Sequence, residues 1–166
     1  MATRERPTAT AVEAPDLKKL LGNLKAGRVV GNSFVALLGL HTAETPALVE
    51  SIRKGLSYQS WERLLKNSGL VVFELADAVH ITTRTLSRRK KEGRFQPDES
   101  DRIARVARVF AAAISLFEGA VEPAREWFTV PQRALGGATP LHYASTEIGA
   151  LEVERLIGRL EHGIAS

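Results

Sequence analysis

The stretch Leu75 to Arg94, LADAVHITTRTLSRRKKEGR, constrains this chain more than any other. It reads as a helix, a three-residue turn and a second helix dense in arginine and lysine. Arg84, Arg88, Arg89, Lys90, Lys91 and Arg94 stand against a single acid, Glu92. That local charge of +5 exceeds the formal net charge of the whole chain, +4, so the remaining residues sum to −1. The basic character is concentrated rather than spread. A compact cationic helix after a tight turn is what a helix-turn-helix sets in the DNA major groove.

The residues inside the stretch support that geometry one by one. Val72, Leu75, Ala76 and Val79 form an apolar stripe, and the small Ala76 lets two helices cross closely. His80 occupies the turn, where glycine is the usual choice, because a left-handed backbone costs a non-glycine residue about 1–2 kcal/mol. Ile81 plugs the core beneath the turn, and Thr82 or Thr83 caps the next helix. Leu86 is the expected buried anchor of that helix. Thr83, Arg84, Thr85, Ser87 and Arg88 then lie near the helix start and suit base edges, whereas Arg89, Lys90, Lys91 and Arg94 suit phosphates. One such helix binds weakly, so a homodimer reading two half-sites of operator DNA is expected.

Elsewhere the pattern is helical throughout. Met1 to Asp16 reads as a tail, and Leu17 to Leu24 and Ser33 to Leu40 as short helices. The apolar Ser33–Leu40 patch either covers the core or makes a dimer contact. Thr45-Pro46 and Ser57 open two further helices, and Gln96-Pro97 opens a long one striped with Ile103, Val106, Phe110, Ala113, Ile114 and Phe117. Arg102, Arg105 and Arg108 share a flank of it, either as an acid-paired face or as more phosphate-binding surface. From Glu118 the charge reverses, with four arginines against seven glutamates. Ala120–Phe128, Leu141–Ala144 and Glu147 to about His162 are expected helices, the last two capped by Thr139 and Thr146. Trp127 and Leu135 read equally as core or as a protein-binding face. The expected fold is all-α, divided at 1–43 (tail and short helices), 44–118 (helix-turn-helix module with the long helix) and 119–166 (a small helical domain).

Catalytic chemistry finds little support. The chain has no cysteine, which removes disulfides, thiol nucleophiles and thiolate-bound metal. His41, His80, His142 and His162 lie far apart, without metal-ligand spacing, and no serine sits in a G-x-S-x-G setting. No phosphate-cradling glycine loop is present. No cofactor is expected. The longest apolar run, Phe34 to Leu40, is far short of a membrane span, and the first residues lack the apolar core of a secretory signal. A cytoplasmic protein without catalytic activity is expected.

The strings Arg84-Thr-Leu-Ser-Arg-Arg, Glu99-Ser-Asp-Arg-Ile-Ala-Arg-Val-Ala-Arg, Trp127-Phe with Pro131, Ala134-Leu-Gly-Gly and Thr139-Pro-Leu resemble the Xre/MbcA/ParS antitoxins. Gly149 and Leu160-Glu-His-Gly fit as well, so the resemblance covers roughly residues 55–163. His80 in place of the turn glycine and Phe128 in place of leucine depart from the pattern. The resemblance implies a helix-turn-helix that represses its own operon and a C-terminal domain that binds a cognate RES-domain toxin. Such toxins consume NAD or ADP-ribosylate a target, and the antitoxin covers the active-site entrance. Carried onto this sequence, the implied toxin-binding residues are Trp127, Leu135, Gly136, Gly137, Thr139, Pro140, Leu141, Leu156, Arg159, Leu160, His162, Gly163 and Ser166. An acidic Thr139–Ser166 segment competing for a basic pocket is one expectation for the mechanism. The alternatives are a plain DNA-binding repressor whose C-terminal domain only dimerises, and a structural adaptor with no DNA role.

Overall fold

The computed structural model describes residues 17–26 and 32–164, and the expected tail 1–16 and Ser166 lie outside them. Helices α1 (Leu17–Lys25), α2 (Val35–Leu38), α3 (Thr45–Lys54) and α4 (Tyr58–Ser68) precede the motif. Helices α5 (Val72–Ala78) and α6 (Thr83–Glu92) form it, and α7 (Pro97–Leu116) is the long helix. Helices α8 (Val121–Thr129), α9 (Pro140–Tyr143) and α10 (Glu147–Glu161) follow. Among the described residues the one β feature is an isolated antiparallel bridge between Ser57 and Arg94, so the fold is all-α as expected. No helix among them is long and apolar enough to cross a membrane.

Helix α7 is the axis of the molecule. Proline at its first turn and Asp98 and Glu99 beside the positive helix end favour its start, and the Gln96 N–H donates to Glu99 Oε2 at 2.8 Å. Ile103, Val106, Ala107, Phe110, Ala113 and Ile114 recur at helical spacing and are all buried. Against them pack α3 and α4 from one side of the sequence and α8 and α10 from the other. Phe110 meets Phe128 of α8 edge-on at 5.2 Å, which suits the aromatic quadrupoles. The buried side chains form one contiguous cluster from Leu20 to Ile157.

The expected apolar patch near Ser33 covers the core. Val35, Ala36, Leu37 and Leu38 of α2 are buried against α4 and α7, and Asn67 of α4 donates to the Leu37 carbonyl at 3.1 Å. These side chains are therefore consumed inside the chain, and the dimer-contact reading of the patch falls. Helix α10 sits close to α9 because residue 149 is glycine. A Cβ there would lie 1.9 Å from the Tyr143 carbonyl oxygen. Thr146 caps α10 by accepting from the Gly149 N–H at 3.0 Å.

Candidate nucleic-acid and partner interfaces

The motif closes as its residues require. His80 takes φ 53°, in the left-handed region, and the Ile81 N–H donates back to the Ala76 carbonyl at 2.9 Å. This satisfies an end carbonyl of α5 and turns Ile81 into the core. Thr82, not Thr83, is the cap of α6, accepting from the Thr85 N–H at 3.2 Å. Gly93, at φ 76°, ends the helix.

Helix α6 exposes Thr83, Arg84, Ser87, Arg88, Lys90 and Lys91. Thr85 is half-buried, its hydroxyl accepting from that of Thr82 at 3.1 Å. Arg84, Lys90 and Lys91 have no acidic partner among the described residues, and Arg88 only approaches Glu92 at 4.0 Å. The outer face of α6 is thus cationic and unneutralised.

Two expectations about α6 are corrected. Leu86 is only half-buried; Arg89, one turn on, is the side chain that α6 buries. Arg89 is therefore not a free phosphate ligand. Its Nε and Nη2 donate to the two oxygens of Glu99 at 2.8 and 3.0 Å, and its Nη1 donates to Glu92 at 2.6 Å. The hydrogen bonds from Glu99 and Glu92 raise the guanidinium pKa. Burial pushes the Glu99 carboxyl up, but Arg89 and the Gln96 N–H together hold it below its ordinary value. The fork fixes α6 to the first turn of α7. Its sequence signal was spacing: residue 89 shares a helix face with residue 86.

Arg102, Arg105 and Arg108 take the acid-paired reading. Arg102 Nε donates to the Val79 carbonyl at 2.7 Å, bracing the turn, and Nη1 pairs with Asp98 at 3.1 Å. Arg105 reaches Glu147 at 2.8 Å, and Arg108 reaches Glu147 at 3.0 Å and Glu154 at 2.8 Å. They join α7 to α10.

The C-terminal candidates divide by burial. Leu135, Pro140, Leu141 and Leu156 are buried and build the domain, which corrects their assignment to a binding surface. Trp127 is half-buried against Phe117, ring centres 6.4 Å apart. Gly136 and Gly137, at φ 66° and 86°, make an exposed turn that closes with the Gln132 N–H on the Ala138 carbonyl at 3.0 Å. Thr139 caps α9 through the His142 N–H, and Arg159 pairs with Glu152 at 3.4 Å. Leu160, His162 and Gly163 are exposed. Ile148 and Leu151 of α10 and Ile164 beyond it are exposed apolar side chains that sequence reasoning did not select.

Residues 47–108 match the Antitoxin Xre-like helix-turn-helix domain, and residues 112–163 match the Antitoxin Xre/MbcA/ParS C-terminal toxin-binding domain. An "Antitoxin Xre" of Yersinia enterocolitica is 42% identical over 130 residues, which are 78% of this chain and 88% of that protein. The chain belongs to the Xre antitoxin family. A Photorhabdus laumondii "Antitoxin Xre" is 36% identical over 140 residues, 84% of this chain and 95% of the relative. One from Pseudomonas putida is 33% identical over 84 residues, 50% of this chain and 52% of the relative. As an Xre antitoxin of a toxin–antitoxin system, the chain carries both matched domains, and α7 spans the point where they meet.

Proposed function

We propose that this antitoxin neutralises a cognate RES-domain toxin, one that consumes NAD or ADP-ribosylates a target, and represses its own operon as a DNA-bound homodimer in the cytoplasm. In this scheme the chain performs no catalysis and takes no cofactor. The observation that carries the reading is the division of its exposed surface. On α6, Thr83, Arg84, Ser87, Arg88, Lys90 and Lys91 face solvent and suit base edges and phosphates. At the other end, α10 buries Val153, Leu156 and Ile157, and Ile148, Leu151, Leu160, His162, Gly163 and Ile164 are exposed. An exposed segment that carries Leu160 and Ile164 can enter a cleft. The toxin class rests on the resemblance of the Arg84–Arg89 and Ala134–Gly137 strings.

The part expected of the acidic segment changes. Glu147 and Glu154 are held by Arg105 and Arg108, and Glu152 lies beside Arg155 and Arg159. Insertion then depends on shape and apolar contact more than on charge. Deleting residues from Leu160 onward should abolish neutralisation in a co-expression toxicity assay and leave DNA binding intact. Full rescue by the truncated protein would sink the proposal. Capture by the product of the adjacent reading frame, identified as a RES-domain protein, supports it; self-association alone supports a plain repressor.

A further inference from the structure

We infer that the corner between α3 and α4 is a second phosphate-binding element, in which Arg53 and Lys54 extend the cationic surface of α6. The inference rests on the DNA-binding reading of α6 and adds residues to it that lie outside the α5–α6 pair.

The corner is tied to the end of α6 by backbone and side chain together. The Tyr58 N–H donates to the Gly93 carbonyl at 2.9 Å, and the Phe95 N–H donates to the Leu56 carbonyl at 2.9 Å. Arg94 Nη1 donates to the Gly55 carbonyl at 2.6 Å and to the Lys54 carbonyl at 3.3 Å, 40 residues away in sequence. These carbonyls end α3, where a cation is favoured by the helix dipole. Gly55 leaves no slack, since a Cβ there would lie 2.1 Å from the Phe95 carbonyl oxygen. The ends of α3 and α6 are therefore one rigid unit.

Arg53, Lys54, Lys90, Lys91 and Arg94 are all exposed on that unit. Its acids do little to cancel them. Glu50 lies 3.5 Å from Lys54 in an exposed pair, and Glu92 is engaged by Arg89 and approached by Arg88. Arg53 has no acidic partner among the described residues. Two elements carrying like charge on one rigid surface suit a regular anionic array, and a DNA duplex presents about one negative charge per 1.7 Å of its axis. Arg94 serves here mainly as a positioning residue, its guanidinium holding the corner against α6.

The test uses the full chain and a short mixed-sequence DNA duplex, with affinity followed by fluorescence anisotropy between about 50 and 200 mM salt. For each chain bound, Arg53→Ala/Lys54→Ala should flatten the slope of log affinity against log salt by about 1.8, roughly 0.9 for each phosphate that is no longer neutralised. Over that range the unaltered protein then loses about tenfold more affinity than the variant for each chain bound. Lys90→Ala/Lys91→Ala serves as the comparison on α6. An unchanged slope for Arg53→Ala/Lys54→Ala beside a flattened one for Lys90→Ala/Lys91→Ala overturns this inference and leaves the DNA reading standing. No salt-dependent binding by the unaltered chain overturns both. Loss of toxin capture with an unchanged DNA slope reassigns the corner to the protein partner. If the alanine variant melts early by circular dichroism, Arg53→Gln/Lys54→Gln is read in its place.

Discussion

Arg89 shows how one side chain can change role on folding. A guanidinium taken out of water loses several kcal/mol of hydration, which only well-made ionic hydrogen bonds offset. Glu99 and Glu92 supply three, at 2.6 to 3.0 Å. Arg89→Ala strips Glu99 of its partner, so we expect a loss of about 3 kcal/mol or more in urea unfolding. The Arg89→Ala/Glu99→Ala double variant should lose less than the sum of the two single variants. The same pair sets a pH dependence. Burial raises the Glu99 carboxyl, Arg89 and the Gln96 N–H lower it further than that, and the native value ends below the unfolded one. For Glu147, burial likewise raises and Arg108 and Arg105 lower, with the same net direction. A depressed native value stabilises the fold above the unfolded glutamate pKa of about 4.3 and loses that contribution as pH falls through the native value. The melting temperature should therefore drop on acidification below about 4.3, less steeply in Glu99→Gln.

At the scale of the element, the α5–α6 turn carries the clearest strain. His80 at φ 53° adopts a conformation that glycine takes without steric cost. Its cost of about 1–2 kcal/mol is partly returned by the lower chain entropy that histidine has over glycine in the unfolded state. His80→Gly should raise stability by about 0.5–1 kcal/mol in thermal melts and leave the salt slope on DNA unchanged. The caps at Ser57, Thr139 and Thr146 were legible in sequence, and that of α6 to within Thr82 or Thr83, because each hydroxyl bonds an N–H only three residues on. The side of α10 that faces out was less legible. Its apolar residues lie on two faces, and burial selects Val153, Leu156 and Ile157 while leaving Ile148 and Leu151 outside.

Across the whole molecule, α7 gives the two matched regions one core. Phe110 on α7 packs with Phe128 on α8, and Ile103 on the same helix belongs to the same buried cluster as Leu48 and Leu56. Phe128→Ala should thus destabilise the entire chain by about 3–5 kcal/mol and preserve a single unfolding transition. Two separated transitions in calorimetry would mean that the C-terminal helices melt independently of the helix-turn-helix.

What the sequence determined by itself was local: the all-α class, the helix-turn-helix between Leu75 and Arg94, the caps and the glycine turns. Each depends on residues within a few positions of one another, and the strings that mark the family are equally local. Only the tertiary structure decided which cations are spent inside the protein. Arg89 goes to Glu99, ten residues on, while Arg105 and Arg108 go to Glu147 and Glu154, about 40 residues on. Charge pairing is set by distance in space, and a basic run in sequence leaves that distance open.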